Sequence, residues 1–304
     1  MIRLWIQGAR PRTLAAAVVP VAVGTAAAAP DIVWWRASVA LVVATALQVG
    51  VNYANDYSDG IRGTDDHRKG PARLVGSGAA APALVRRAAF GGFAVAAAAG
   101  LALAIAVALW LVALGLVCII AAWYYTGGRR PYGYAGFGEV FAFVFFGLVA
   151  TAGTAFVQTA EFTRLAFGAA TPVGLLASAL LVANNLRDIA QDRESGKLTL
   201  AVRLGERRSA WFYAALVLAA IGAGAWLGMA RPWALLTLAS LLLAAPAVWL
   251  ALSPGPKAPL LNHTARLHSV FGVLLTVGLA LSAPPQGERW SVGAVWLLRP
   301  SGMW

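Results

Sequence analysis

Two groups of polar residues have the spacing of a metal-binding site. Their members are Asn52, Asn55, Asp56 and Asp59 in the first group, and Asn184, Asp188 and Asp192 in the second. Side chains three or four positions apart share one face of an α-helix, so each group predicts a row of carboxylate and amide oxygens. Hard oxygen ligands without His or Cys favour Mg²⁺ over Zn²⁺.

Basic side chains lie among these acids. Those predicted to bind a diphosphate are Arg62, Arg187, Lys197 and Arg203. Mg²⁺ in proteins is commonly shared between carboxylates and substrate phosphates, and Arg and Lys bind phosphate oxygens. The residues predicted to hold the metal are Asp56, Asp59, Asp188 and Asp192, supported by Asn55, Asn184 and Asp65. The four principal aspartates are the predicted catalytic residues, because metal and cations stabilise the charge that develops on a departing diphosphate.

The elements that position these residues are predicted to be membrane helices. Of the 304 residues, 60% are hydrophobic and only 12% are charged, whereas soluble domains are about 25% charged. Nine apolar segments occur, at about 14–30, 35–54, 79–105, 108–126, 136–158, 166–187, 209–229, 232–252 and 266–283. We expect an all-α polytopic bundle of about nine transmembrane helices. Residues 1–283 form the expected membrane domain, and 284–304 a peripheral or disordered tail.

The distribution of charge predicts the orientation of the chain. The net charge is +12, and with the N-terminus in the cytoplasm 19 of the 24 Lys and Arg residues fall on the inner side. This bias is typical of cytoplasmic loops, so the excess charge does not indicate a nucleic-acid partner. We expect a multi-pass protein of the cell inner (plasma) membrane with both Asp-rich loops cytoplasmic. The single cysteine, Cys118, excludes a disulfide framework.

The family resemblance carried by the motifs quoted below implies an aromatic acid acceptor, which would need a cation and a flat surface. Candidate cations are Arg10, Arg12 and Arg73, and candidate stacking partners are Tyr124 and Tyr125. Aromatic faces also stabilise positive charge, which matters if an allylic cation forms. The sequence does not rank these five residues.

Several motifs together resemble the UbiA superfamily of intramembrane aromatic prenyltransferases over most of residues 8–283. They are Ala9-Arg10-Pro11-Arg12-Thr13-Leu14, Asn55-Asp56-Tyr-Ser-Asp59 with Gly63-Thr64-Asp65, Arg73-Leu-Val-Gly-Ser-Gly78, Asn184-Asn185-Leu-Arg187-Asp188, and Gly196-Lys197 through Leu204-Gly205. Many members carry an aspartate where this chain has Gly63, and Asp65 follows two positions later. That departure resembles the branch that acts on dihydroxynaphthoate.

The resemblance implies a central cavity that is capped by the two motif loops and opens to membrane lipid. It also implies Mg²⁺-dependent transfer of a polyprenyl group from polyprenyl diphosphate to 1,4-dihydroxy-2-naphthoate, with loss of CO₂ and diphosphate. A sister activity on another acceptor, such as 4-hydroxybenzoate or homogentisate, is the nearest alternative.

Two other classes of protein share part of the pattern. Asp56 and Asp188 lie 132 positions apart in similar contexts, and secondary transporters are also built from repeats. Transporter acids are expected near the bilayer midplane, whereas these acids cluster at one face. A phosphatidyltransferase would continue the Asp56-x-x-Asp59-Gly60 motif on the same element, and this chain does not.

Overall fold

The computed structural model describes residues 2–64 and 73–284, and these ranges contain helices and connecting turns but no β-strand. The α-helices in chain order are α1 Ile2–Gly8, α2 Ala15–Ala27, α3 Trp34–Ile61, α4 Pro82–Ala106, α5 Leu111–Tyr124, α6 Gly138–Ala142, α7 Gly153–Thr159, α8 Arg164–Glu194, α9 Leu200–Leu204, α10 Glu206–Trp226, α11 Leu241–Leu252 and α12 Leu260–Leu281. A π-helix, Phe143–Ala152, joins α6 to α7, and a 3₁₀-helix, Pro232–Ser240, leads into α11. The predicted all-α fold is confirmed.

Seven helical stretches in the described ranges are long and apolar enough to cross a membrane. They are Trp34–Ile61, Pro82–Ala106, Gly138–Thr159, Arg164–Glu194, Glu206–Met229, Pro232–Leu252 and Leu260–Leu281. Two further apolar helices, α2 and α5, are shorter. The chain is therefore a multi-pass membrane protein. A helix occurs in each of the nine predicted segments, but nine full spans are not confirmed. Residues 285–304 of the predicted tail lie outside the described residues.

Two helices extend well beyond their apolar segments. The predicted segment 35–54 is the apolar part of α3, which continues to Ile61, and the segment 166–187 belongs to α8, which continues to Glu194. Each extension carries the aspartates of one predicted row. The helical geometry assumed for both rows is thus confirmed, but Asp56 and Asp59 have their hydrogen-bond partners on different faces of α3.

Helix α8 lies at the centre of the bundle. Its residues Ala169, Val173 and Leu176 are fully buried in the main hydrophobic core. Glycines allow close contact with the π-helix, because a Cβ added at Gly174 would lie 3.1 Å from the Cα of Gly147. Small residues commonly mediate such close helix packing in membranes. The aspartate-bearing end of α8 therefore extends from the most deeply buried of the seven candidate spans.

Candidate active site

A large cavity of about 1160 Å³ runs between the helices. At one end its polar lining includes Arg10, Asn52, Asn55, Arg73, Asn184, Arg187, Asp188, Gln191 and Glu194. Its other walls are mainly apolar, and include Leu103, Leu111 and Val157. The lining residues of α3 run from Ala40 to Asn55, which at 1.5 Å per residue is roughly 22 Å. This shape suits a molecule with a polar head and a long apolar tail.

One face of the α3 end holds other segments of the chain in place. Asp56 is fully buried, and its two carboxylate oxygens accept hydrogen bonds from the backbone N–H groups of Leu74 and Val75, both at 2.9 Å. One turn earlier, the amide of Asn52 donates to the carbonyl of Ala9 at 2.8 Å. Asn52 therefore holds the segment that follows α1, and Asp56 holds the segment that precedes α4.

The other face of the α3 end meets the segment between α5 and α6. Asn55 Oδ1 accepts from the Thr126 hydroxyl at 2.7 Å, and Asp59 Oδ1 accepts from the Tyr134 hydroxyl at 2.7 Å. Burial, together with the nearby Asp59 carboxylate, raises the pKa of Tyr134. The phenol consequently stays protonated at neutral pH and remains a hydrogen-bond donor.

At the α8 end, the acids pair with cations of their own segment. The Arg187 guanidinium makes a bidentate contact with Asp188, with both N–O distances at 2.6 Å, and also donates to Asn184 Oδ1 at 2.9 Å. Lys197 Nζ lies 3.5 Å from Asp192 Oδ1. The second oxygen of Asp192 is buried and has no hydrogen-bond partner in the described part of the chain.

The two aspartate-bearing helix ends lie close together. The Gln191 amide of α8 donates to the carbonyl of Thr64, which follows α3, at 3.3 Å. The ring of Tyr134 lies near two cations, with its centroid 5.4 Å from Arg62 Cζ and 5.5 Å from Lys197 Nζ. Tyr134 thus contacts both motifs, since its hydroxyl donates to Asp59 and its ring contacts the partner of Asp192.

Two of the four predicted diphosphate ligands bind backbone carbonyls in this structure. Arg62 donates to the carbonyls of Thr126 and Gly128, and Arg203 donates to the carbonyl of Leu198 at 3.2 Å. These contacts order the loops around the helix ends. Arg187 lines the cavity itself. Diphosphate binding by the four cations remains a prediction.

The five residues predicted to bind the aromatic acid do not all line the described cavity. Arg10, Arg73 and Tyr125 line the cavity, whereas the side chain of Tyr124 is 50% exposed and is absent from the described lining. Asp65, predicted to support the metal, lies outside the described residues, as does the side chain of Arg12.

Aromatic rings continue along the cavity wall from Tyr125. The rings of Tyr125 and Tyr132 have centroids 5.4 Å apart, and Tyr132 stacks on Phe141 at 4.0 Å. Burial raises the pKa of Tyr132, so its phenol remains neutral. All three residues line the cavity. The wall therefore offers π faces beside the polar end.

The side chains at the two helix ends are compatible with Mg²⁺. Within the described ranges, no three His, Cys, Asp or Glu side chains are grouped closely enough to hold a metal by themselves. Mg²⁺ does not require such a cage, because it retains waters and shares phosphate oxygens. The available donors are oxygens, and one of them is the buried, unpartnered oxygen of Asp192.

Some residues that organise the site were not predicted as site residues. They are Thr126, Tyr134, Gln191 and Glu139. Glu139 is buried beside α8 and accepts from the Asn185 amide at 2.9 Å. An acid within an apolar segment is the signal that could have indicated Glu139. The other three residues have common side chains in loops or a polar helix, and no spacing rule identifies them.

The fold and the site define a class: a membrane-embedded helical protein with a cavity that has a polar end and an apolar body. A model of the UbiA prenyltransferase family matches residues 17–260, and the chain belongs to this family.

Named relatives are similar over most of their length. The chain is 50% identical over 287 residues to the 1,4-dihydroxy-2-naphthoate octaprenyltransferase of Mycobacterium leprae (strain TN), covering 91% of this chain and 96% of that relative. It is 36% identical over 300 residues to the Escherichia coli (strain K12) enzyme of the same name, covering 91% and 95%.

Solved structures share the fold. A UbiA homolog from Aeropyrum pernix K1 superposes with a TM-score of 0.70 at 15% identity, covering 90% of this chain and 98% of that chain. A UbiA homolog from Archaeoglobus fulgidus bound to GPP and Mg²⁺ gives a TM-score of 0.66 at 14% identity, covering 91% and 99%.

Proposed function

We propose that this chain transfers a polyprenyl group from polyprenyl diphosphate to 1,4-dihydroxy-2-naphthoate in a Mg²⁺-dependent reaction that releases CO₂ and diphosphate. The immediate product is the quinol form of demethylmenaquinone, because no step of this reaction oxidises the ring. The 50% identity to a relative of that activity over 91% of the chain carries this proposal. The cavity supports it independently, because a polar end bearing cations and acids continues into an apolar space.

The polar end is suited to hold the diphosphate head. Arg187 lines the cavity, while Lys197 lies beside Asp192 at the same helix end. We assign Arg187 and Lys197 to the diphosphate, with Arg62 and Arg203 ordering the surrounding loops. Preplaced cations stabilise the additional charge on the leaving diphosphate more than they stabilise the ground state, which is the requirement for catalysis.

The metal is assigned to both helix ends. Asp59 and Asn55 of α3, and Asp188, Asp192 and Asn184 of α8, would hold Mg²⁺ together with diphosphate oxygens. Bound Mg²⁺ would supply Lewis-acid stabilisation of the leaving diphosphate. The homolog from Archaeoglobus fulgidus bound to GPP and Mg²⁺ supports this choice of metal.

The apolar body of the cavity has two roles in this proposal. It accommodates the isoprenoid chain, and it excludes water that would otherwise capture an allylic cation. The rings of Tyr125, Tyr132 and Phe141 present π faces beside the polar end, where positive charge would develop. Arg10 and Arg73, which also line the cavity, are candidates for the carboxylate of the acceptor.

The decisive experiment incubates purified protein with Mg²⁺, a polyprenyl diphosphate and a panel of aromatic acids, and analyses the products by mass spectrometry. We expect a prenylated naphthoquinol that lacks the carboxyl carbon and does not form when EDTA is added. A product that retains its carboxyl group, formed from 4-hydroxybenzoate, would instead support the sister activity. Absence of any prenylated product with active substrate controls would refute the proposal.

We further propose that the N-terminus and both aspartate-bearing helix ends face the cytoplasm across the cell inner membrane. The distribution of Lys and Arg supports this orientation. Single cysteines introduced at exposed Arg193 and at exposed Glu161 test it. In intact cells, an impermeant maleimide is expected to label only the cysteine at position 161. The reverse labelling would contradict the orientation.

A further inference from the structure

Asp56 has a different environment from the other aspartates of the two motifs. It is 0% exposed, and both of its oxygens accept backbone N–H groups, those of Leu74 and Val75. By contrast, one oxygen of Asp192 has no hydrogen-bond partner in the described part of the chain. A metal at Asp56 would have to displace at least one of its two backbone hydrogen bonds.

The hydrogen bonds of Asp56 hold the start of a short turned segment, residues 73–78. Within this segment the N–H of Gly78 donates to the carbonyl of Val75 at 2.9 Å. Just after it, the N–H of Ala80 donates to the carbonyl of Leu74 at 3.0 Å. The N–H groups of Leu74 and Val75 begin the turn, where backbone donors lack local acceptors. A carboxylate that accepts both makes strong charge-assisted hydrogen bonds.

Close packing fixes the same segment against its neighbours. A Cβ added at Gly60 of α3 would lie only 2.5 Å from Val75 Cβ, so the segment lies directly on the helix. Leu74 is 2% exposed, and its Cδ1 would lie 2.8 Å from a Cβ added at Gly8 of α1. The segment is therefore held between α3 and the N-terminal helix.

The residue that begins the segment, Arg73, does reach the cavity. There it joins Arg10 and Arg187 at the polar end. A guanidinium at this place suits an anionic oxygen, and the proposed reaction has two anionic substrates, a diphosphate and an aromatic carboxylate.

We propose that Asp56 is a positioning residue: it anchors the 73–78 segment to α3, and thereby places Arg73 to bind an anionic oxygen of a substrate. Metal binding at the α3 end then belongs to Asp59, not to Asp56. This inference rests on the proposed prenyl transfer, and it differs from the metal role that the sequence predicts for Asp56.

The test compares Asp56→Asn with Asp59→Asn, the same chemical change three residues apart. Asn at position 56 keeps one acceptor but places an amide against the second N–H. We expect the KM of one anionic substrate to rise about 10- to 100-fold, with the Mg²⁺ concentration for half-maximal rate unchanged within about twofold. The substrate whose KM rises, diphosphate or aromatic acid, identifies the anion that Arg73 binds. Asp59→Asn is expected to raise the Mg²⁺ requirement.

Thermal unfolding in detergent gives a readout that does not depend on turnover. Asp56→Asn is expected to lower the Tm without ligands and to retain the stabilisation by Mg²⁺ with inorganic diphosphate. Asp59→Asn is expected to lose that stabilisation. An Asp56→Asn variant with a raised Mg²⁺ requirement, or one without the ligand-induced Tm shift, overturns the inference.

Two further variants keep the inference falsifiable if Asp56→Asn does not fold. Gly60→Ala displaces the segment without altering any acid, and is expected to raise the same KM; Gly91→Ala is its control, because a Cβ there meets open space. Adding Arg73→Ala to Gly60→Ala is expected to cause little further loss. An unchanged KM in Gly60→Ala, or fully additive losses, overturns the inference. A wild-type protein without prenyl transfer would refute the proposed function itself.

Discussion

The two aspartate-bearing helix ends have similar sequences but opposite electrostatic environments. At the end of α3, Asp56 and Asp59 accept hydrogen bonds from backbone amides and a phenol, which are neutral donors. At the end of α8, Asp188 pairs with Arg187 and Asp192 pairs with Lys197. Neutral donors satisfy hydrogen bonds but leave the negative charge uncompensated, whereas ion pairs compensate it.

This difference assigns separate roles to the two ends. A cation that binds Asp59 does not have to displace a charged partner among the described residues. A cation that binds Asp188 has to compete with a bidentate guanidinium. We therefore expect Arg187 and Lys197 to transfer to the diphosphate when the substrate and its metal bind, and this exchange frees the α8 carboxylates.

The largest expected effect follows the loss of one metal-binding carboxylate at either end. Asp59→Asn and Asp192→Asn are each expected to reduce kcat/KM about 100- to 1000-fold, because metal stabilisation of the transition state is worth several kcal/mol. Steady-state assays with equal amounts of folded protein measure this. Glu161→Gln, an exposed acid in the connection between α7 and α8, is the control. Wild-type activity in either variant would show that the substituted aspartate does not bind the catalytic metal.

Breaking the Arg187–Asp188 ion pair tests whether the cations at the α8 end compete with Mg²⁺ for the carboxylates. Arg187→Met frees the Asp188 carboxylate and removes a diphosphate ligand. We expect the KM for the polyprenyl diphosphate to rise about tenfold or more, while the Mg²⁺ concentration for half-maximal rate falls. Mg²⁺ titrations at saturating diphosphate measure the second quantity. A higher Mg²⁺ requirement would show that Arg187 does not compete with the metal.

Tyr134→Phe tests whether Tyr134, which contacts both aspartate-bearing helix ends, contributes to activity through its hydrogen bond to Asp59. The substitution keeps a ring beside Arg62 and Lys197 and removes the hydrogen bond to Asp59. We expect kcat/KM to fall roughly tenfold, the value of one charge-assisted hydrogen bond. Tyr57→Phe is the matched control, because this α3 tyrosine packs its ring against Trp123. Equal effects of the two substitutions would argue against a coupling role for Tyr134.

The smallest effect on the KM of the aromatic acid is expected at Tyr124, because this residue is not among the described residues that line the cavity. Its side chain is half exposed, so Tyr124→Ala is expected to leave the KM of the aromatic acid unchanged within about twofold. Tyr125→Ala, at the neighbouring position on the cavity wall, is expected to raise it. Substrate titrations of both variants provide the measurement. A larger effect at Tyr124 would place the acceptor outside the described cavity.

The sequence predicts the helices of this chain well, because hydropathy and helical periodicity are local properties. It also predicts which acids lie together, since Asp56 and Asp59 share one helix and Asp188 and Asp192 share another. It also predicts nine spans, but this number is not confirmed, because α2 and α5 are shorter than the seven helical stretches that are long enough to cross a membrane in the described ranges. Apolar composition alone does not reveal where a helix begins and ends.

The sequence does not predict the hydrogen-bond partners of these acids. Asp59 bonds to a tyrosine 75 positions away and Asp56 to amides 18 and 19 positions away, through loops whose course no spacing rule determines. Similarly, Tyr124 and Tyr125 are adjacent in sequence, yet only Tyr125 lines the cavity.

The sequence by itself determined that this is a helical membrane protein with two acidic helix ends and the motifs of its family. Only the tertiary structure decided which carboxylates are neutralised, which are buried against backbone amides and which reach the cavity. The physical reason is that a side chain carries its charge wherever it lies, whereas its solvation and its hydrogen-bond partners come from segments brought together by folding.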